Sequence, residues 1–435
     1  MSTTPYVPTP IFGDRDTVIE QIKAIQNGES AEPLITNWLN SCFAHTKIKL
    51  PDFASKDYQS ALQFLHTYRG STDTFTAYRR DIERLLQWSW FVKRQSCLIH
   101  TRDDMEAFIE FCQKPPKRWI SLKNVARFTR QDGEIKPNPL WRPFTASVSK
   151  KEHQEGQEPQ KDTYRYSHAA LKILFGILSS FYSYLVQEQA IAMNPMVLMR
   201  QKSKFLQKET KTAQIRRLSQ RQWETVIMLV KKQAEHDLSA ERTLFILSCL
   251  YGMYLRISEL VADARWTPTM GDFFKDADEN WWFKTVSKGN KSRQISVSDA
   301  MLAALQRYRE KYLKLSPFPA LNEPTPLIAH NTLTSTLSIT SDRPIRALVQ
   351  HCFDQAADYL QKQGYLDEAS NLRIATVHWL RHTGISEDVK HRPREHVRDD
   401  AGHSSGAITD HYIDVELKER AKSAKNKTIY FNITA

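Results

Sequence analysis

Six side chains in the second half of this 435-residue chain have types and an order that suit phosphoryl transfer. They lie in the segments YLRISEL (Arg256), VSKGNKSR (Lys288), HWLRH (His378 and Arg381), AGHSS (His403) and DHYIDV (Tyr412). Two arginines can each fork onto non-bridging phosphate oxygens and neutralise charge that develops in a pentavalent transition state. Two histidines can add hydrogen bonds or move protons near neutral pH. A lysine on a turn can protonate a leaving oxygen, and a tyrosine beside a base and cations can be the nucleophile. Each piece alone has a structural reading: an arginine near a glutamate is an ion pair, a turn lysine is solvated, a tyrosine near a helix start is packing. The set, in this order, describes a phosphoryl-transfer site that works without a metal. Other chemistries find no support. There is no GxxxxGKS/T loop, no GxGxxG opening a helix, no HExxH and no Cys/His cluster at metal spacing.

The series resembles the tyrosine recombinase (phage integrase) family, whose pattern is an arginine in a GLRxSEL-like box, a hairpin-turn lysine, HxxR, GHxS and a terminal tyrosine. His378 and Arg381 are three residues apart and His403 and Tyr412 nine, as in that family, and Arg381 to His403 is 22. The resemblance implies that Tyr412 attacks the scissile phosphate, giving a 3′-phosphotyrosyl bond and a free 5′-hydroxyl. Arg256 and Arg381 would clamp the phosphate, and Lys288, with Lys291 as its rival, would be the general acid toward the 5′ oxygen. His378 would act as acid/base and His403 as a hydrogen-bond donor, with Glu259 and His382 behind them; an ordinary helix salt bridge is the alternative for Glu259. The chain departs from the pattern in the insertion WTPTMGDFFKDADEN, in the long stretch from Lys288 to His378, and in Pro393 where a glycine turn commonly precedes GH. No cofactor is implied. The implied partners are double-stranded DNA at specific sites, further copies of the chain in a synaptic tetramer, and accessory DNA-bending or directionality proteins. The implied reaction is integration or excision of a mobile element through a Holliday junction. A type IB topoisomerase-like or telomere-resolving enzyme, or a silent sequence-specific DNA-binding protein on the same scaffold, are the alternatives.

These side chains need a scaffold, and the pattern around them is mainly helical with one small hairpin, an α+β class. WWFKTVS and RQISVS, separated by KGNKS, read as that hairpin. Ser71, Thr101, Ser219 and Ser298 stand where helix caps are expected. Residues 1–54, with four basic and six acidic residues, read as an N-terminal extension that packs or meets a partner. Residues 55–199 form a helical domain, within which 129–163 reads as a long surface loop. Residues 200–217 carry seven basic residues against one acidic and read as a linker. The catalytic residues occupy 218–415, and 416–435 is a C-terminal helix and tail that docks in cis or in trans. The resemblance turns this into a C-shaped clamp of a core-binding and a catalytic domain. Its expected DNA contacts are Arg79, Arg80, Arg84, Lys202, Lys204, Lys208, Lys211, Arg216, Arg217, Lys291 and Arg293.

Composition fits. Lys and Arg total 61 against 49 Asp and Glu, a net charge of +12 that suggests a polyanionic partner. With 41% hydrophobic and 25% charged residues the chain can bury full-sized cores. Its apolar runs, such as LFILSCLYGMYL at 244–255, read as too short for a membrane span. No secretory signal is visible, and five scattered cysteines without CxxC spacing read as reduced thiols of a cytoplasmic protein; the resemblance implies that it is nucleoid-associated.

Overall fold

A computed structural model describes residues 6–46, 48–131, 134–201, 205, 216–264, 266–287, 291–330, 337–403 and 424–425. The chain folds as two compact units, Met1–Thr210 and Lys211–Ala435, so the division falls inside the basic segment 200–217. Lys202, Lys204, Lys208, Lys211, Lys288, Tyr412 and most of the C-terminal segment lie outside the described residues.

The first unit is built from α1 (Arg15–Gln26), α2 (Ala31–Phe43), α3 (Ala54–Thr67), α4 (Thr72–Trp88), α5 (Arg102–Gln113), four short strands, α6 (Lys150–Gln154), α7 (His168–Gln187) and α8 (Met196–Gln201). Local signals set the helix starts. The side chains of Asp14 and Ser71 accept from the backbone of Thr17 and Thr74, and Thr101 forms a reciprocal capping box with Asp104. Residues 6–54 belong to this core: α1 and α2 pack on α3, and Ile11 and Phe12 are fully buried.

The preceding segment is held by one stripe of α4, whose residues recur every four positions. Arg79 donates to Gly13 O (2.6 Å), Glu83 accepts from the N–H groups of Ile11 (2.7 Å) and Phe12 (3.3 Å), and Gln87 donates to Thr9 O (2.9 Å). This corrects the expectation for two arginines. Arg79 is buried against that segment, and Arg84 is buried against Asp81 and Pro143 O, so both guanidiniums are taken up by partners within this unit. Arg80 remains half exposed, paired with Asp81.

The stretch 129–163 is not a plain surface loop. It carries most of a hairpin of β2 (Phe128–Gln131) and β3 (Glu134–Pro137), and β4 (Phe144–Thr145), which pairs in parallel with β1 (Ile120–Ser121). Trp141 and Phe144 are buried there, and the Arg84 guanidinium lies 4.4 Å from the Phe144 ring centroid. Helix α7 has the length and hydropathy for a membrane span, contrary to the expectation that no run does, yet Leu174, Phe175, Leu178 and Phe181 are buried in this core.

The second unit contains α9 (Gln220–Gln233), α10 (Ser239–Gly252), β5 (Phe273–Lys275), β6 (Trp281–Ser287), β7 (Lys291–Ser296), α11 (Asp299–Tyr308), α12 (Arg343–Lys362), α13 (Leu366–Ile374), α14 (Val377–Asp388) and α15 (Arg394–Ala401). The expected hairpin is present as β6–β7, with Ser287 opposite Lys291 and Thr285 opposite Arg293. The inserted segment before it supplies β5, which extends the sheet antiparallel to β6. Stacked Phe245 and Tyr308 (4.4 Å), Phe283, Ile295 and Phe353 lie in the core beneath.

Candidate active site

Helix α10 ends at Gly252, and the chain turns through Tyr254, in the left-handed region at φ 50°, into the single turn Ile257–Glu259. Arg256 caps that turn. Glu259 folds back beneath it and is almost fully buried. Its carboxylate accepts from Arg256 N (2.7 Å) and Arg256 Nη1 (3.1 Å). The same carboxylate accepts from Ser287 Oγ (2.8 Å) and from both Nη groups of Arg293 (2.8 and 3.0 Å). Arg256 Nη1 also reaches Ser287 Oγ at 3.3 Å. The root of the hairpin turn is thereby tied to the arginine box. Ser287 immediately precedes Lys288, and Lys291 opens β7 in an exposed position.

Arg293, expected among the DNA contacts, is instead buried and committed to Glu259. The hairpin register explains this. Arg293 shares a face of β7 with the fully buried Ile295, and a charge on a buried face needs a partner. That period-two relation to Ile295 was the available sequence signal, and Ser287 carried no signal beyond its position before the turn.

Helix α14 contributes His378, Arg381 and His382 at i, i+3 and i+4, hence on one face. The two imidazoles meet edge to face, with centroids 4.3 Å apart. Arg381 is buried and donates to Tyr254 O and, at 2.5 Å, to Ala401 O. These two carbonyl oxygens orient the guanidinium. The close approach depends on Gly384, because a Cβ there would collide with the carbonyl oxygen of Tyr251. Helix α15 is moored to β7 by Asp400, which accepts from Ser296 N (3.1 Å) and from Arg392 (2.6 Å). It ends at Gly402 in the left-handed region, which turns the chain toward His403.

The electrostatics show convergence. Partial burial, followed by the charges of Arg381 and Arg256, lowers the pKa of His378. Burial and the same two arginines, with Arg293, bring His403 down to about 4. His382 is lowered to about 4 by burial and then by His378. Burial pushes the Glu259 carboxyl up, but Arg293, the Arg256 N–H and the Arg256 charge outweigh it and hold it below its ordinary value. Four residues spread over 148 positions, Arg256, His378, Arg381 and His403, therefore share one electropositive locus with neutral imidazoles. Such a locus suits a phosphodiester anion. None of the four lines an apolar groove of about 810 Å³ among α9, α10 and α11. Of the expected linker contacts, Arg216 is exposed and Arg217 half-buried.

Among solved structures, the chain is similar to the XerH site-specific recombinase bound to palindromic difH substrate in a post-cleavage complex. Identity is 12%, coverage is 96% of this chain and 99% of that one, and the TM-score is 0.50. It is also similar to the Tn1549 transposon integrase in complex with transposon right end DNA (14% identity, 85% and 98% covered, TM-score 0.48) and to a lambda integrase dimer bound to a COC' core site (11%, 92% and 89%, 0.45). No family model and no curated protein matches the sequence. The mainly helical α+β fold is thus shared with the XerH recombinase.

Proposed function

We propose that this chain is a site-specific DNA recombinase that cleaves and rejoins duplex DNA through Tyr412, serving integration or excision of a mobile element. The observation that carries this reading is the shared locus of Arg256, His378, Arg381 and His403, on the fold of a recombinase. In the reaction, Tyr412 Oη attacks the scissile phosphorus and the bond to the 5′ oxygen breaks. The 3′ phosphate is left on tyrosine, and Lys288 gives the departing oxygen its proton. Arg256 and Arg381 neutralise the non-bridging oxygens as charge builds, the task a metal performs elsewhere, so neither metal nor ATP enters. His403 donates a hydrogen bond, and His378, neutral near pH 7, can accept the tyrosine proton. Attack by a 5′-hydroxyl of a second duplex reverses the step and exchanges strands, within a homo-oligomer on the DNA. Five buried free thiols support a reducing, cytoplasmic setting.

The test is a nicked duplex carrying the DNA that flanks the gene, incubated without metal or ATP. Wild type forms an adduct that survives denaturing electrophoresis, and Tyr412→Phe forms none. Specific binding with no adduct from wild type would instead make the chain a DNA-binding protein and remove these catalytic roles.

A further inference from the structure

We infer that Arg293 is a positioning residue: by sharing the Glu259 carboxylate from its buried side, it leaves the charge of Arg256 uncancelled and its outward side available to grip a phosphate. The inference rests on the recombinase reading, because it concerns what Arg256 does to a phosphodiester.

Glu259 lies between two guanidiniums of unequal exposure. The Arg256 side chain is 32% exposed, the Glu259 side chain 2% and the Arg293 side chain 8%. Arg256 therefore faces outward and Arg293 stands behind the carboxylate. With Arg256 as its sole partner, Glu259 would form a closed ion pair that cancels the charge the phosphate needs. With Arg293 present, two cations share one anion and the trio keeps a net positive charge. The geometry is specific to arginine. A planar fork reaches both carboxylate oxygens (2.8 and 3.0 Å) and Ser287 Oγ (2.5 Å) at once, which a lysine ammonium does not reproduce.

The contact also fixes two other segments. Ser287 receives hydrogen bonds from both arginines and donates to Glu259, so the residue before Lys288 is held against the arginine box. On the other side the Arg293 stem lies against Gly402, next to His403, where a Cβ would come within 2.8 Å of its Cδ. One buried side chain thereby couples the arginine box, the hairpin root and the histidine that follows α15.

The test compares wild type with Arg293→Met, Arg293→Lys, Glu259→Gln and the double variant Arg293→Met/Glu259→Gln. Two readouts are used: single-turnover adduct formation on the nicked duplex, and binding of inorganic phosphate to the DNA-free protein, followed by the imidazole resonances of His378 and His403. Arg293→Met is expected to slow adduct formation about a hundredfold while duplex affinity stays within about threefold, since misplacement of one charged group acts on the transition state. Phosphate binding weakens about tenfold. Arg293→Lys recovers part of both losses. The double variant recovers most of both, because glutamine has no charge with which to capture Arg256; a merely structural role predicts a double variant no better than the single one. Wild type that binds phosphate yet forms no adduct sinks the recombinase reading while the phosphate comparison still tests Arg293. An Arg293→Met protein equal to wild type in phosphate binding overturns the inference, as does a wild type that binds no phosphate.

Discussion

Gly402 is the residue at which backbone conformation and site chemistry meet. It closes α15 at φ 63°, a region open to glycine but strained for most side chains, and a Cβ there would lie 2.8 Å from Arg293 Cδ and 3.0 Å from its Nη1. Gly402→Ala should therefore lower stability by about 1 kcal/mol and displace the guanidinium that holds Glu259. Its larger effect should be on chemistry, with adduct formation slowed at least tenfold while duplex affinity is retained; a variant that is less stable but cleaves at the wild-type rate would show that Gly402 serves the turn alone. That Arg256, His378, Arg381 and His403 belong together was legible in the sequence, because their types and intervals are specific. The assignments of Arg79, Arg84 and Arg293 were not, because an arginine's role depends on which partner claims it. Arg79 meets a carbonyl 66 positions away and Arg293 a carboxylate 34 away, contacts that only folding brings together.

Helix α4 shows the same limit at the scale of an element. Its Ser71 cap marked the start of a helix, and the helix is there. Its polar stripe gave no hint that Arg79, Glu83 and Gln87 would grip residues 9–13, nor that the polar, proline-containing stretch after 129 would fold into a hairpin and bury Trp141 and Phe144. Polar composition hides such elements when their strands are two to four residues long and lack an apolar period. Glu83 is the keystone of this packing. It is fully buried and accepts from two backbone N–H groups and from Arg127 at 2.5 Å. Removing it leaves buried donors unanswered and the Arg127 charge without its carboxylate. Glu83→Ala should destabilise the first unit by about 3–5 kcal/mol in urea unfolding. Glu83→Gln, which can still accept from Ile11, should lose less. A loss below about 1 kcal/mol for the alanine variant would mean that the N-terminal segment is held by apolar burial alone.

For the whole molecule, buried and half-buried histidines tie both units to pH in one direction. His100 in the first unit is brought to about 4 by burial, with Asp104 opposing, and accepts or donates at 3.1 Å with Tyr182 Oη. His382 and His403 in the second unit are also near 4. Free in the unfolded chain, each would titrate near 6.5. Between about pH 6.5 and 4 the unfolded state therefore binds more protons than the folded one, so stability falls as pH falls through that window and is unaffected by these groups above it. For the buried His100 the full shift corresponds to about 3 kcal/mol, and less is expected from the two partly exposed imidazoles. Unfolding midpoints should be level from pH 8 to 7, drop from about 6.5 downward, and drop less steeply in His100→Gln. A bound phosphodiester acts against this for His378 and His403, because an anion beside an imidazole favours its protonated form. Duplex DNA carrying the cognate site should then shift the descending limb to lower pH, and titration in weakly buffered solution should show net proton uptake on binding. Proton release, or a limb that DNA leaves in place, would mean that no phosphate approaches these two histidines and that the electropositive locus is not where the DNA is held.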